Sequence, residues 1–344
     1  MSVWASPAAR CVLLVAAAAL ATLLPSRRPA AQVAPRGDKA TRIGLVFDVG
    51  GRGDKSFNDS AYDGLSRAER ELGVSVSFLE PVGSEDREAA LRLFAAQRMD
   101  LVIAVGFIFT SDVDAVARAY PEVRFACVDY AGAAAAMPPN VEGLSFREEE
   151  GSFLVGAVAG LLSRSRHVGF VGGMTIPLIR KFEVGYAAGV RAACPGCTLH
   201  SAYAGSTPDA FRDPARGRSV AAFEIAAGAD VLFHASGATG HGVFEAAREA
   251  GVLGIGVDAD QYDEMPGTVV TSLVKRVDVV VFDAIQEVVV GRFRPGTRVF
   301  GLAEDGIDYV RTGPHAAGLP DAVKARVADL RAEVVAGTRR VLAE

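Results

Sequence analysis

The sequence predicts an α/β fold whose parallel sheets are divided between two lobes, and three observations favour this prediction. The chain has 344 residues, half of them hydrophobic and 22% charged, which is enough for about two globular domains. Strand and helix patterns alternate along it, as parallel sheets with right-handed crossovers require. This pattern occurs in two halves that meet near residues 140–146. Two similar lobes with a cleft between them are the simplest arrangement for such a chain.

The first 34 residues differ in composition from the rest. Arg10 precedes the apolar run 11–24, which is short for a membrane span and typical of a secretory signal. We therefore expect residues 1–34 to be a signal peptide, with the cleavage position left open. Cys11 starts the apolar run instead of following it, which does not fit a lipid-attachment cysteine. The protein is expected to be exported to the periplasm or cell surface, and retention at the plasma membrane by an uncleaved N-terminal segment remains an alternative.

The stretch 43–58, IGLVFDVGGRGDKSFN, joins a strand pattern to a glycine-rich turn. Its apolar start at 43–47 predicts a parallel strand buried on both faces, which ends at Asp48. The glycines that follow permit a turn that bulkier residues would resist. The stretch therefore predicts a turn at the carboxyl end of the first strand.

A helix is predicted directly after this turn. Ser56 followed by Asp59 is typical of a helix cap, and apolar residues recur behind it at helical spacing. Ligands of open α/β sheets bind beyond the carboxyl ends of the strands. Asp48, Phe57 and Asn58 are therefore candidate ligand contacts. The alternative interpretation is that Asp48 only forms the turn and that Phe57 is a core residue.

Further apolar runs predict strands, and amphipathic stretches predict helices. The predicted strands cover residues 74–79, 101–105, 123–128, 167–171, 198–203, 231–234, 253–257 and 269–273. The predicted helices cover residues 85–97, 149–162, 178–193, 216–227, 242–250 and 277–290, and a last helix lies near 320–336.

Cys194 and Cys197 stand between a predicted helix and a predicted strand. In an exported protein, a local disulfide between them is plausible. A redox role is disfavoured, because redox CxxC pairs act from a helix N-terminus, where the thiolate is stabilised, whereas this pair follows a helix.

Seven motifs occur in order along nearly the whole chain after the expected signal peptide. They are DVGGRGDKSFND (48–59), FREEEGSFLVGAVAG (146–160), GFVGGM (169–174), FRDPARGR (211–218), GATGHGVFEAA (237–247), IGVDADQ (255–261) and TSLVKRVD (271–278). Together they resemble the basic membrane protein family of type I periplasmic substrate-binding proteins of ABC transporters. The best-understood members of that family bind purine nucleosides.

The resemblance implies two Rossmann-like lobes with parallel sheets, joined by crossing segments, that close over a ligand in the cleft by hinge bending. On this basis we expect residues 40–146 and 275–296 to form the N-terminal lobe. Residues 147–274 and 297–344 are expected to form the C-terminal lobe.

The family's base-binding residues carry over by motif to both sides of the cleft. Phe57 and Phe211, one from each lobe, would stack on the two faces of a flat heterocycle. Asp48 and Asn58 would form hydrogen bonds with the edge of the base. The resemblance therefore implies that stacking supplies affinity and that these polar groups set base preference.

The family's sugar-binding residues carry over in the same way. Asp258 would accept hydrogen bonds from the ribose hydroxyls, Lys275 would donate to the sugar, and Gly237 would allow close approach of the backbone. A structural ion pair between Lys275 and an aspartate is the alternative interpretation.

The implied function is that of a non-enzymatic, monomeric receptor that captures a purine nucleoside and delivers it to an ABC transporter permease. No cofactor or metal ion is expected. Because the family includes receptors for other flat ligands, riboflavin remains an alternative. The net charge of −5 and the absence of a basic, aromatic-rich cluster in the sequence argue against a nucleic-acid partner.

An enzyme is the competing class. Asp48, Asp54 and Asp59 would suggest a calcium-dependent nucleoside hydrolase, but their spacing does not match the aspartate cluster of such an enzyme. The GGRG segment lacks the third glycine of a dinucleotide-binding fingerprint. His234 and His241 have no accompanying motif, and a metal role for them is disfavoured.

Overall fold

The computed structural model describes residues 40–81 and 84–341, so the expected signal peptide lies outside the described part. These residues form two six-stranded sheets. The strands, in chain order, are β1 (Arg42–Val46), β2 (Ser75–Leu79), β3 (Leu101–Val105), β4 (Arg124–Val128), β5 (Val141–Phe146), β6 (His167–Met174), β7 (Thr198–Gly205), β8 (Val231–Ala235), β9 (Leu253–Gly256), β10 (Val269–Lys275), β11 (Gly296–Phe300) and β12 (Ile307–Tyr309).

The helices cover the faces of both sheets. They are α1 (Phe57–Leu72), α2 (Ser84–Ala96), α3 (Thr110–Ala119), α4 (Glu148–Leu162), α5 (Pro177–Ala193), α6 (Pro214–Ala226), α7 (Gly240–Ala250), α8 (Val277–Val289) and α9 (Asp321–Val335). None of the helices in the described residues is long and apolar enough to cross a membrane.

The spatial strand order is β11-β5-β4-β3-β1-β2 in the first sheet and β12-β10-β9-β8-β6-β7 in the second. Only β12 runs antiparallel to its neighbour in these sheets of the described chain. The predicted α/β fold with two parallel sheets is therefore confirmed. The central strands are apolar because helices cover both of their faces, and β3, LVIAV, is buried along its whole length.

Within the described residues, the chain passes between the two lobes in three segments: from β5 to α4, from β10 to α8, and from β11 to β12. Helix α8 packs on α1 beside the first sheet, although the strand before it belongs to the second. Several crossing segments of this kind allow two lobes to move about a shared hinge.

One strand lies outside the lobe predicted for it. The expected boundary places residues 297–300 in the C-terminal lobe, but β11 pairs in parallel with β5 and so belongs to the first sheet. The side chain of Arg298 on β11 lies 2.9 Å from the carboxylate of Glu142, which is buried on β5. A buried carboxylate needs a partner, and this ion pair provides one that local sequence patterns do not reveal.

Helices α4 and α5 pack with their backbones in close contact, because glycines line the interface. A Cβ at Gly189 would overlap the carbonyl oxygen of Phe153, and one at Gly156 would overlap that of Tyr186. Replacement of these glycines must therefore push the helices apart.

We expect Gly189→Ala to lower the free energy of unfolding by about 1–3 kcal/mol, the usual cost of overpacking. Thermal unfolding followed by circular dichroism measures the effect. Gly318→Ala is the control, because a Cβ there would have no described atom within 4 Å. Equal melting temperatures for the two variants would contradict the close packing.

Candidate functional site

A narrow cavity lies between the lobes at the carboxyl ends of both parallel sheets, with a volume of about 70 Å³. Its lining includes every residue that the sequence predicted as a ligand contact: Asp48, Phe57, Asn58, Phe211, Gly237, Asp258 and Lys275. Asp48, Asp258 and Lys275 reach the cavity from strand ends, as the rule for open α/β sheets leads one to expect, and the other four residues lie in the segments that follow strands.

The loop before α1 is organised by Asp54. Its Oδ1 accepts hydrogen bonds from the backbone N–H groups of Ser56 and Asp59, and its Oδ2 accepts from the backbone and side-chain N–H groups of Asn58. The predicted cap by Ser56 and Asp59 is wrong, because the Ser56 side chain makes no capping bond within the described residues. Lys55, with φ at 54°, turns the chain so that Asp54 faces the helix N-terminus instead.

Asp48 and Asn58 meet at the first-lobe side of the cavity. The Asp48 N–H donates to the side-chain oxygen of Asn58 at 3.0 Å, and the Asp48 carboxylate accepts from the Val49 N–H at 2.6 Å. Gly106, at the end of β3, leaves room for this carboxylate, which a Cβ there would overlap. Burial raises the pKa of Asp48 to about 7, and the nearby Asp129 adds to the rise. The group therefore exchanges its proton near neutral pH and offers either a donor or an acceptor to a ligand.

Lys275 lies in a buried ionic network. Its Nζ donates to both carboxylate oxygens of Asp129 at 2.7 Å and lies 3.2 Å from Glu148. Burial alone lowers the pKa of Lys275, but the carboxylates of Asp129, Glu148 and Asp258 together raise it above its usual range. Burial raises the pKa of Asp129, and the Lys275 charge opposes that rise. Lys275, at the end of β10, thus binds a residue that follows β4 of the other lobe.

Asp258 follows β9 on the second-lobe side of the cavity. Its Oδ2 accepts a hydrogen bond of 2.6 Å from the hydroxyl of Ser56, which belongs to the first lobe. Burial raises the pKa of Asp258 to about 6, whereas Lys275 and the Ser56 hydroxyl lower it. The carboxylate is therefore mostly ionised at neutral pH and is a strong acceptor.

Aromatic rings reach the cavity from both lobes. Phe57 begins α1, and its ring centre lies 5.1 Å from the Lys275 Nζ. Phe211, from the second lobe, makes an edge-to-face contact with Phe107 of the first lobe, with ring centres 6.4 Å apart. Gly173 makes room for the Phe211 ring, and Gly237, with φ at 56°, lies against the Phe211 backbone. Aromatic surface is thus present on both sides of the cavity.

Sequence reasoning missed Phe107 and Asp129, which also line the cavity. Asp129 directly follows β4, just as Asp48 follows the apolar run of β1 and Asp258 that of β9. Applying the strand-end rule to every predicted strand would have found it. Phe107 follows β3 after one glycine, so the same rule would have indicated it as well.

The two histidines considered as a metal pair have separate hydrogen-bonding partners. His234 is buried, and its Nε2 lies 3.0 Å from the Gln261 side-chain oxygen. Burial lowers the pKa of His234 to about 4, so the ring is neutral. His241 is exposed and lies 3.1 Å from Glu264. The described residues contain no cluster of three or more His, Cys, Asp or Glu side chains suited to a metal ion.

Outside the cavity, Cys194 and Cys197 are joined as a disulfide between α5 and β7.

In a comparison with known protein families, residues 41–324 match the model of the PnrA-like ABC transporter substrate-binding proteins (Bmp). An uncharacterized lipoprotein of Pyrococcus horikoshii is 35% identical over 79% of this chain and 69% of that protein. The CD4+ T-cell-stimulating antigen of Listeria monocytogenes is 32% identical over 89% of each chain. A solved solute-binding protein of an ABC transporter system from Aeropyrum pernix is 30% identical, covers 87% of this chain and 92% of its own, and has a TM-score of 0.79. The chain therefore belongs to the Bmp family of ABC transporter substrate-binding proteins, which are solute receptors rather than enzymes.

Proposed function

We propose that this protein captures a purine nucleoside in the cavity between its lobes and delivers it unchanged to an ABC transporter permease. The observation that carries the proposal is the pairing of aromatic rings from opposite lobes with carboxylates at the ends of strands in both sheets. A flat, polar-edged ligand attached to a hydroxyl-rich group matches these surfaces.

The base would stack between Phe57 and Phe211, since aromatic faces attract a heterocycle of any identity. Asp48 supports recognition of the base edge, because its pKa of about 7 lets it accept from a ring N–H or donate to a ring nitrogen. Asn58 acts mainly by holding the Asp48 backbone and the Asp54 carboxylate. Base preference would then depend on Asp48 more than on the rings.

The sugar would lie toward the charged end of the cavity. The ionised carboxylate of Asp258 suits two neighbouring hydroxyls, and the Lys275 ammonium, held by Asp129, suits a sugar oxygen. Because Asn58, Asp258 and Lys275 are buried, ligand entry requires the lobes to part and close again. Closure would then present the loaded lobes to the permease.

We also propose that the protein acts outside the cytoplasm as a monomer. Its similarity to the lipoprotein of Pyrococcus horikoshii supports a cell-surface location. A two-lobed receptor that must open and close needs no second copy to complete its cavity.

Isothermal titration calorimetry tests the ligand. The chain from Arg36 onward is titrated with guanosine, inosine, adenosine, uridine and riboflavin, and each mixture is then analysed by chromatography. We expect micromolar or tighter binding of a purine nucleoside that is recovered intact. Binding of riboflavin alone would redirect the proposal to another flat ligand, and release of free base would indicate a hydrolase.

We expect Phe211→Ala and Asp258→Ala each to weaken nucleoside binding tenfold or more, about 1.4 kcal/mol or above, with little loss of fold. The same calorimetry measures the change. Phe223→Ala is the matched control for the ring, because Phe223 is 73% exposed on α6 of the same lobe. Unchanged affinity in both cavity variants would refute the assignment of the pocket.

A further inference from the structure

We propose that Ser56 is a positioning residue that bridges the two lobes, orients the Asp258 carboxylate for the ligand and closes the wall of the cavity. The orienting part of this inference rests on the proposed function. The bridging part concerns the protein itself and does not depend on which ligand binds.

The Ser56 hydroxyl is free for this task because another residue caps the helix. Ser56 stands at the N-cap of α1, yet Asp54 accepts from the backbone N–H groups that a capping serine would satisfy. The hydroxyl instead crosses to the second lobe, where it donates to Asp258 Oδ2 at 2.6 Å and lies 3.4 Å from the Val257 carbonyl oxygen. Ser56 has no exposed surface. A buried bond to a carboxylate is worth more than an exposed one.

A second contact joins the same two loops. The side-chain N–H of Gln261 donates to the Lys55 carbonyl oxygen at 3.2 Å. Gln261 is itself fixed within the second lobe, since its side-chain oxygen accepts from the Val257 N–H and its backbone N–H donates to Ser272. Ser56 therefore contacts a loop that is rigidly held on its own side.

Residues beside the bridge border both the cavity and an open groove. Asp54 and Asp258 line the narrow cavity, and both also line an open groove of about 960 Å³ along the outer side of the seam between the lobes. The Ser56–Asp258 bond joins the two lobes at this seam. Parting of the lobes must break it, and a ligand leaving on this side must pass it.

The bond also selects which carboxylate oxygen faces the ligand. Ser56 occupies Oδ2 of Asp258, whereas no donor in the described part of the chain makes a hydrogen bond with Oδ1. The fixed carboxylate thus keeps one oxygen available for a ligand hydroxyl. Without the Ser56 hydroxyl the Asp258 carboxylate can rotate, and the closed lobes lose one of the hydrogen bonds between them.

Ser56→Ala tests the bridge, and Ser60→Ala is the matched control. Ser60 is also buried on α1, but its hydroxyl accepts from the Asp278 N–H within the first lobe. In stopped-flow measurements with the nucleoside that binds best, we expect Ser56→Ala to raise the dissociation rate about tenfold and to change the association rate much less. Ser60→Ala should leave both rates near those of the unmodified protein.

The pH dependence of nucleoside affinity distinguishes a positioning role of Ser56 from a purely structural one. Lys275, Asp54, Asp129 and Ser56 surround the Asp258 carboxylate, and the Ser56 hydroxyl favours its charged form. Its loss must raise the pKa of Asp258, so the acid-side decline in affinity should move to higher pH in Ser56→Ala and stay in place in Ser60→Ala.

Small-angle scattering without ligand separates this inference from the proposed function. We expect a larger radius of gyration for Ser56→Ala than for the unmodified protein, because the lobes part more often. If no nucleoside binds, the proposed function fails, and the scattering comparison alone decides the bridge. An unchanged radius of gyration, together with an unchanged dissociation rate where a nucleoside does bind, overturns the inference.

Discussion

Lys275→Met is expected to lower the free energy of unfolding by about 3–5 kcal/mol, because it leaves buried carboxylates without their partner. Lys275 is 2% exposed, and its Nζ contacts Asp129 at 2.7 Å and Glu148 at 3.2 Å. Methionine preserves most of the apolar stem, so the change isolates the charge. The midpoint and slope of urea unfolding at pH 8 measure the loss.

The loss of unfolding free energy in Lys275→Met should be smaller at lower pH. Burial already raises the pKa of Asp129, and removal of the Lys275 charge, which opposes that rise, raises it further. A carboxyl whose folded pKa exceeds its unfolded value takes up a proton on folding, so its penalty grows as pH rises and fades as pH falls. The deficit at pH 5 should therefore be smaller than at pH 8.

Lys324→Met is the control for this variant. Lys324 is a partly exposed lysine on α9, and its Nζ lies 3.8 Å from the exposed Asp321. Exposed pairs of this kind contribute about 0–1 kcal/mol. A midpoint for Lys275→Met equal to that of Lys324→Met would show that the buried network does not stabilise the fold.

The position of Asp48 after a buried strand predicts it as a ligand contact, whereas Asp258 is predicted by the family resemblance. Asp48 and Asp258 follow apolar runs, and such runs form parallel strands whose carboxyl ends meet at a cleft. Burial of the strands therefore fixes the position of both carboxylates. Asp129 directly follows a buried strand as well, so the same rule applied to every strand predicts it.

Contacts between distant parts of the chain were not predictable in this way. Ser56 resembles a helix cap in sequence, but its hydroxyl binds a carboxylate 202 residues away. Edge strand β11 alternates half-buried and exposed residues, yet it pairs with β5 and forms an ion pair between residues 156 apart. In both cases a long-range partner competes with the local pattern, and only the fold brings that partner near.

Glu224→Gln is expected to stabilise the protein increasingly as pH rises from about 4.5 to about 9. Glu224 on α6 is 1% exposed, and neither carboxylate oxygen has a hydrogen-bond partner among the described residues. Burial raises the pKa of Glu224 to about 9. The folded state therefore holds a proton that the unfolded state releases above its ordinary pKa of 4.5.

The unmodified protein should lose stability through this window, because its unfolded state binds fewer protons than its folded state. At about 1.4 kcal/mol per pKa unit, the full effect is on the order of 6 kcal/mol. Glutamine keeps the shape of the neutral acid without titrating, so the two proteins should unfold alike at pH 4.5 and diverge by pH 8. Urea unfolding across this range measures the difference.

Glu249→Gln is the matched control, because Glu249 is half exposed on α7 of the same lobe and pairs with Arg218 at the surface. Its pH dependence of unfolding should parallel that of the unmodified protein. If the stability of Glu224→Gln also showed the pH dependence of the unmodified protein, the buried carboxyl would have to ionise without cost. That would require a hydrogen-bond donor or water at its oxygens. The slope of stability against pH thus reports directly whether α6 packs a neutral acid against the second sheet.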